Sequence, residues 1–265
     1  MSTFAPVGIP SGSLTPFVIA DLSAVLYDGY SRGVDAPGKI LGVGRDADVF
    51  EYGNGAVLRR SRKGRSQLFE ARVMQFVRAQ GFPVPEVLEV SEDGVDMVME
   101  RIEGPTMVQA ASTQPWKLRR FGSELAQLHE VLHGMSAPEW MPAAPCGIGS
   151  QLLHMDLHPL NVMISRKGPM VIDWPGAARG DPLIDVAATW VLLASANAPG
   201  GRLKRAEARI GRQILLQAFL RPFPRTDLES VVATVVEWKC QNPNMTAGEI
   251  DRMRSMLSVV ADDHK

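Results

Sequence analysis

LLHMDLHPLNVMIS, residues 152–165, followed by GPMVIDW at residues 168–174, decides the fold. Two short apolar strands flank a polar loop, and the runs are too brief and too rich in Val and Ile for helices. The loop carries His154, Asp156 and Asn161, and Asp173 follows at the end of the strand MVID. Phosphoryl transfer needs a carboxylate at the attacking hydroxyl and oxygen ligands that hold Mg²⁺ against phosphates, because that chemistry rests on positioning and charge neutralisation. The spacing makes Asp156 the candidate catalytic base. Asn161 and Asp173, facing each other across the hairpin, become the candidate metal ligands. Taken singly, each polar residue is equally at home as a turn former, so the order of the surrounding elements carries the weight.

Upstream, KILGVGRDADVFEY (39–52), a turn at Gly53-Asn54-Gly55 and AVLRRS (56–61) read as antiparallel strands. Ser66 is expected to cap a helix whose apolar face is Leu68, Ala71, Val73, Met74, Phe76 and Val77, ended by Gly81. PEVLEVSEDGVDMVMERIEG (85–104) predicts two further strands joined at Asp93-Gly94. Helices then dominate, the first expected from Pro115 to about His133. Asp181-Pro182 opens another, and three more are expected near 202–221, 226–240 and 246–261, the last through the capping box Thr246–Glu249. The organisation expected is an arm at 1–35, with a short helix at Ala20–Tyr30, a sheet-bearing lobe at 36–103 and a helical lobe at 104–265. The fold class is therefore α+β and bilobal.

A Gly-bearing hairpin, a basic strand end, a Glu-bearing helix and then this loop arrive in the order of phosphoryl-transfer proteins. On those motifs, from about Leu41 to Val191, the chain resembles the aminoglycoside phosphotransferase and choline kinase family of protein-kinase-like folds. The resemblance implies an ATP- and Mg²⁺-dependent kinase acting on a hydroxyl of a small molecule. It implies that Gly42 and Gly44 let the backbone approach the nucleotide phosphates, and that Arg59 stands where protein kinases carry a phosphate-binding lysine. Arg60 is an alternative for that role. Glu70 is implied as the carboxylate partner, Glu100 to Ile102 as the hinge whose backbone meets adenine, and Asp185 as a brace for the catalytic loop. His154 is expected to hold that loop rather than react. The family usually has Gly where Met155 stands, and a methionine there is expected to narrow the space beside Asp156. Met155, Arg59 and Ala47, where protein kinases have a third loop glycine, also keep open a second reading: a nucleotide-binding regulatory module with weakened catalysis.

Composition restricts the rest. A net charge of -1, from 28 basic and 29 acidic residues, offers no bulk attraction to nucleic acid or to an anionic membrane. The most apolar stretch, Val186–Ala194, is far shorter than the roughly 20 residues a bilayer requires. With no Lys or Arg before Arg32 and only Cys146 and Cys240 as thiols, a reducing cytoplasmic setting is expected. Residues 202–225 hold seven basic side chains and only Glu207 as acid, which argues against a polycationic acceptor.

Overall fold

The computed structural model describes residues 38–53, 55–196, 201–242 and 245–262; the arm expected at 1–35 and its helix lie outside them. The chain first builds five strands, β1 (Ile40–Val43), β2 (Ala47–Tyr52), β3 (Ala56–Ser61), β4 (Val87–Val90) and β5 (Asp96–Glu100). They form one antiparallel sheet in the order β1-β2-β3-β5-β4. Helix α1 (Leu68–Ala79) enters between β3 and β4, and its stripe of Ala71, Val73, Met74 and Val77 is buried. Strand alternation then separates two faces. Met97 joins Met74 and Val77 in the large core, whereas its neighbour Val98 packs with Ala56 and Leu58 on the other side.

The start of α1 differs from the expectation by one position. Gln67 is the N-cap and Ser66 lies one residue earlier, its Oγ accepting from Leu68 N at 3.3 Å. Gln67 is drawn into the cap by tertiary bonds, since its Nε2 donates to Arg59 O at 2.9 Å and Val95 O at 2.6 Å.

The remainder is mainly helical: α2 (Met107–Thr113), α3 (Leu118–His133), α4 (Pro182–Ser195), α5 (Arg202–Leu220), α6 (Arg225–Cys240) and α7 (Ala247–Asp262). Helix α2 was not anticipated, although Thr106 and Gln109 form a capping box, and only a 3-10 turn at Pro115–Lys117 precedes α3. The Asp181 cap of α4 and the Thr246–Glu249 box of α7 form as expected. Among these helices run two small ribbons, β6 (Gln151–Leu153) with β9 (Ala178–Gly180) and β7 (Val162–Ser165) with β8 (Gly168–Val171). Strand β6 therefore pairs beyond the hairpin, with β9, and leaves the 154–161 loop standing between the two ribbons.

One core joins sheet and helices. Phe82, just after α1, meets Trp174 edge-on at 5.6 Å, and Val171 N donates to Pro83 O at 2.8 Å. These contacts fix the end of β8 against α1, and so bring Asp173 to the sheet.

Candidate active site

The loop between β6 and β7 is held from beneath. Asp185 of α4 is fully buried, and its oxygens accept from His154 N at 2.9 Å and Met155 N at 2.7 Å. His133 Nε2 lies 3.0 Å from the same carboxylate. Burial pushes the Asp185 carboxyl up, but the His133 hydrogen bond and the neighbouring His129 outweigh it and hold it well below the usual range. His154 is buried, packs at a tilt against Trp174 with ring centroids 4.4 Å apart and bonds Ile172 O through Nε2 at 3.2 Å, so it ties the loop to the segment between β8 and Asp173.

Met155 adopts φ 67°, a left-handed conformation that favours glycine. Its side chain is 2% exposed and belongs to the core. It therefore does not narrow the space beside Asp156: the residue is strained in its backbone and its side chain is packed into the core.

Asp156 projects from the loop with its side chain 41% exposed. Asn161 Nδ2 donates to Asp156 O at 2.9 Å and to Oδ2 at 3.3 Å, His158 Nε2 lies 3.5 Å from Oδ2, and Lys239 Nζ donates to Oδ1 at 3.1 Å. Partial burial raises the carboxyl, yet the His158 bond and the Lys239 charge prevail and keep it ionised, well below the ordinary carboxylate value. An ionised carboxylate aimed at solvent from a braced loop can orient a hydroxyl and accept its proton.

Asn161 is mostly buried, and Ile172 N donates to its carbonyl at 3.0 Å, so Asn161 and Asp173 stand one rung apart across the ribbon. Asp173 has φ 68°, which turns its carboxylate toward the sheet. Asp173 Oδ1 takes a bond from Arg59 Nη2 at 3.0 Å. The second Asp173 oxygen and Asn161 Oδ1 accept no hydrogen bond among the described residues. Two uncommitted oxygens carried by neighbouring rungs of one ribbon offer donors of the kind suited to Mg²⁺ rather than to a softer metal.

Arg59 and Arg60 separate cleanly. Alternation along β3 turns Arg59 toward α1, where Nη1 meets Glu70 Oε2 and Gln67 Oε1, each at 2.5 Å. Arg60 faces away and pairs with Asp96 at 2.7 and 2.6 Å. Glu70 is buried, and that burial raises its carboxyl above the ordinary value despite Arg59; its Oε1 also accepts from Trp174 N at 3.0 Å. One buried carboxylate thus links strand β3 to the residue after Asp173.

Of the glycines, Gly44 closes the β1–β2 turn, where a Cβ would come within 2.8 Å of Ala47 O. Gly42 leaves open space around its Cα. The Glu100 side chain is occupied by Lys167 at 3.1 Å, and Glu100 N donates to Glu86 O at 2.8 Å. Ile102 is half-buried, and its N–H donates to no group among the described residues.

Lys239 escaped the sequence reading. It occupies the apolar stripe of α6, with Leu228, Val232, Val235 and Val236, and a lysine at such a position is the signal that could have marked it. Its side chain is 7% exposed, and Nζ donates to Met155 O at 3.0 Å as well as to Asp156.

An antiparallel sheet with a buried Arg–Glu pair, set over a helical body that presents Asp156, Asn161 and Asp173, has the architecture of the kinase-like phosphotransferases. Residues 38–148 and 141–216 match the phosphotransferase enzyme family (APH), and the chain belongs to it. Among solved structures it is similar to the aminoglycoside phosphotransferase APH(4)-Ia, with a TM-score of 0.62 and 16% identity, over 86% of this chain and 93% of that one. It is also similar to a choline/ethanolamine kinase family protein from Mesorhizobium loti, with a TM-score of 0.55 and 18% identity, over 87% and 90% of the two chains. A thermostable APH(4)-Ia mutant in ternary complex with AMP-PNP and hygromycin B aligns with a TM-score of 0.52 and 16% identity, over 88% of this chain and 95% of that one. At these identities the likeness concerns the fold. No curated protein matches the chain in sequence. Among the described residues, no helix is long and apolar enough to cross a membrane.

Proposed function

We propose that this protein transfers the terminal phosphoryl group of ATP to a hydroxyl of a small molecule, with Mg²⁺ bound by Asn161 and Asp173. The observation that carries the reading is the gathering of the ionised Asp156 carboxylate, the uncommitted oxygens of Asn161 and Asp173, and the Arg59–Glu70 pair along one connected chain of contacts. Asp156 orients the acceptor hydroxyl and takes its proton as the new oxygen–phosphorus bond forms and the bond to ADP breaks. Arg59, clamped by Gln67 and Glu70, presents a fixed guanidinium to phosphate oxygens. Gly42 and Gly44 bring the β1–β2 backbone close to the phosphates, and the Ile102 N–H, unpaired among the described residues and two positions after Glu100 at the end of β5, meets the nucleobase. When bound by Asn161 and Asp173, Mg²⁺ would supply charge neutralisation at the phosphates. The AMP-PNP bound by the APH(4)-Ia mutant supports ATP as donor.

Residues 36–103 and 104–265 act in this reading as nucleotide-binding and substrate-binding lobes of a cytoplasmic enzyme. Two features behind the weakened-catalysis reading have structural accounts: Met155 is core, and Arg59 forms the carboxylate pair a lysine would. The test is ADP release and product phosphorylation across neutral, anionic and polycationic hydroxyl compounds, with Asp156→Asn alongside. Transfer should fall by at least about a hundredfold in the variant while MgATP binding persists. An unchanged rate removes Asp156 from the mechanism.

A further inference from the structure

Burying an ammonium is costly unless anionic or carbonyl oxygens surround it. Lys239 lies in the last turn of α6, where a cation could simply complement that helix's own carbonyls. Its Nζ turns instead to the catalytic loop, 3.0 Å from Met155 O and 3.1 Å from Asp156 Oδ1, more than eighty positions away in sequence. Among the described residues its other contact is the face of Trp238 at 4.9 Å. The cation is thus set against the carboxylate from below, while the contacts to Oδ2, at 3.3 and 3.5 Å, are longer. Phosphoryl transfer drives an anionic phosphoryl group toward that carboxylate, and like charges at such range repel unless a cation stands beside them.

We propose that Lys239 is a positioning residue for Asp156: its ammonium fixes Oδ1 so that Oδ2 faces the acceptor hydroxyl, and its charge offsets the carboxylate as the phosphoryl group approaches. This rests on Asp156 acting as proposed above. A lysine of α6 thereby couples the far helical bundle to the reacting loop, an arrangement the loop's own sequence does not encode.

The test follows ADP release from MgATP, with water as acceptor, in the intact protein, Lys239→Met and Lys239→Arg; Lys239→Gln replaces the Met variant if that one is not folded by circular dichroism. Removing the charge should lower kcat on the order of tenfold to a hundredfold while KM for MgATP stays within about twofold, and Lys239→Arg should keep more of kcat than Lys239→Met. A kcat equal to the parent's in the folded uncharged variant overturns the proposal. So does an equal loss in the Met and Arg variants that tracks their thermal midpoints, since that marks packing alone. A parent that releases no ADP from MgATP, either to water or to any of the hydroxyl compounds named above, overturns the kinase reading itself, and this proposal with it.

Discussion

Arg59 Nη2 lies 3.0 Å from Asp173 Oδ1 across 114 positions of sequence, and the same guanidinium meets Glu70 Oε2 at 2.5 Å. One side chain thereby couples strand β3, helix α1 and the end of β8. Arg59→Ala would strand a buried Glu70 carboxylate, and losing one member of such a pair costs about 3 kcal/mol. Urea unfolding of the variant checks this. A loss below about 1 kcal/mol would mean that Glu70 simply takes up a proton when Arg59 is gone.

Asp173 offers one oxygen to Arg59 and keeps the other uncommitted. Asp173→Ala should abolish the Mg²⁺ dependence of ATP binding, because Asn161 alone supplies a single neutral ligand. Thermal shift with ATP, Mg²⁺ and both together measures it. A parent stabilised equally by ATP with and without Mg²⁺ contradicts the metal role.

Met155 sets two effects against each other. Its left-handed backbone costs roughly 1 kcal/mol relative to glycine, whereas deleting a buried methionine side chain costs about 2–5 kcal/mol. Met155→Gly should therefore destabilise the protein by a net of about 1–4 kcal/mol in denaturant unfolding. A more stable variant would show that strain, not packing, dominates the position.

His129 is fully buried, and burial lowers its imidazole to about 3 despite the opposing pull of Asp185. His154 is depressed for the same reason. Below about pH 6.5 the unfolded chain binds protons at both positions that the folded chain refuses, so stability falls as pH drops through this window. The slope approaches about 1.4 kcal/mol per pH unit for each histidine. Asp185, held low, adds a further loss only below the ordinary carboxyl value of 3.8. Unfolding free energies between pH 7 and 5 measure the slope, and His129→Gln should cut it by roughly half. A flat profile would refute the buried neutral imidazoles.

The order of elements was legible because it rests on local physics. Gly-bearing turns at 53–55 and 93–94 marked the strands of the sheet, Asp181-Pro182 and Thr246–Glu249 marked helix starts, and the 154–173 stretch carried its polar residues at the ends of apolar strands. Weaker local signals fixed less: Ser66 Oγ accepts from Leu68 N as a cap would, yet the N-cap position falls on Gln67, whose amide reaches two carbonyls that only the folded sheet brings near. Short helix α2 went unread although its capping box is in the sequence, since seven residues give little periodicity to detect.

By itself the sequence determined the kinase-like succession of strands, helix and polar loop, and with it the placing of Asp156, Asn161 and Asp173 within one short stretch of chain. Spacing along a chain encodes such nearby partners directly. Tertiary structure alone decided that Arg59 and not Arg60 faces Glu70, because that choice depends on which side of β3 receives α1. It also decided that Met155 packs into the core, and that Lys239 reaches Asp156 from a helix more than eighty residues away. Those relationships arise from the docking of whole elements, which buries apolar faces far apart in the chain and carries their few charged residues along.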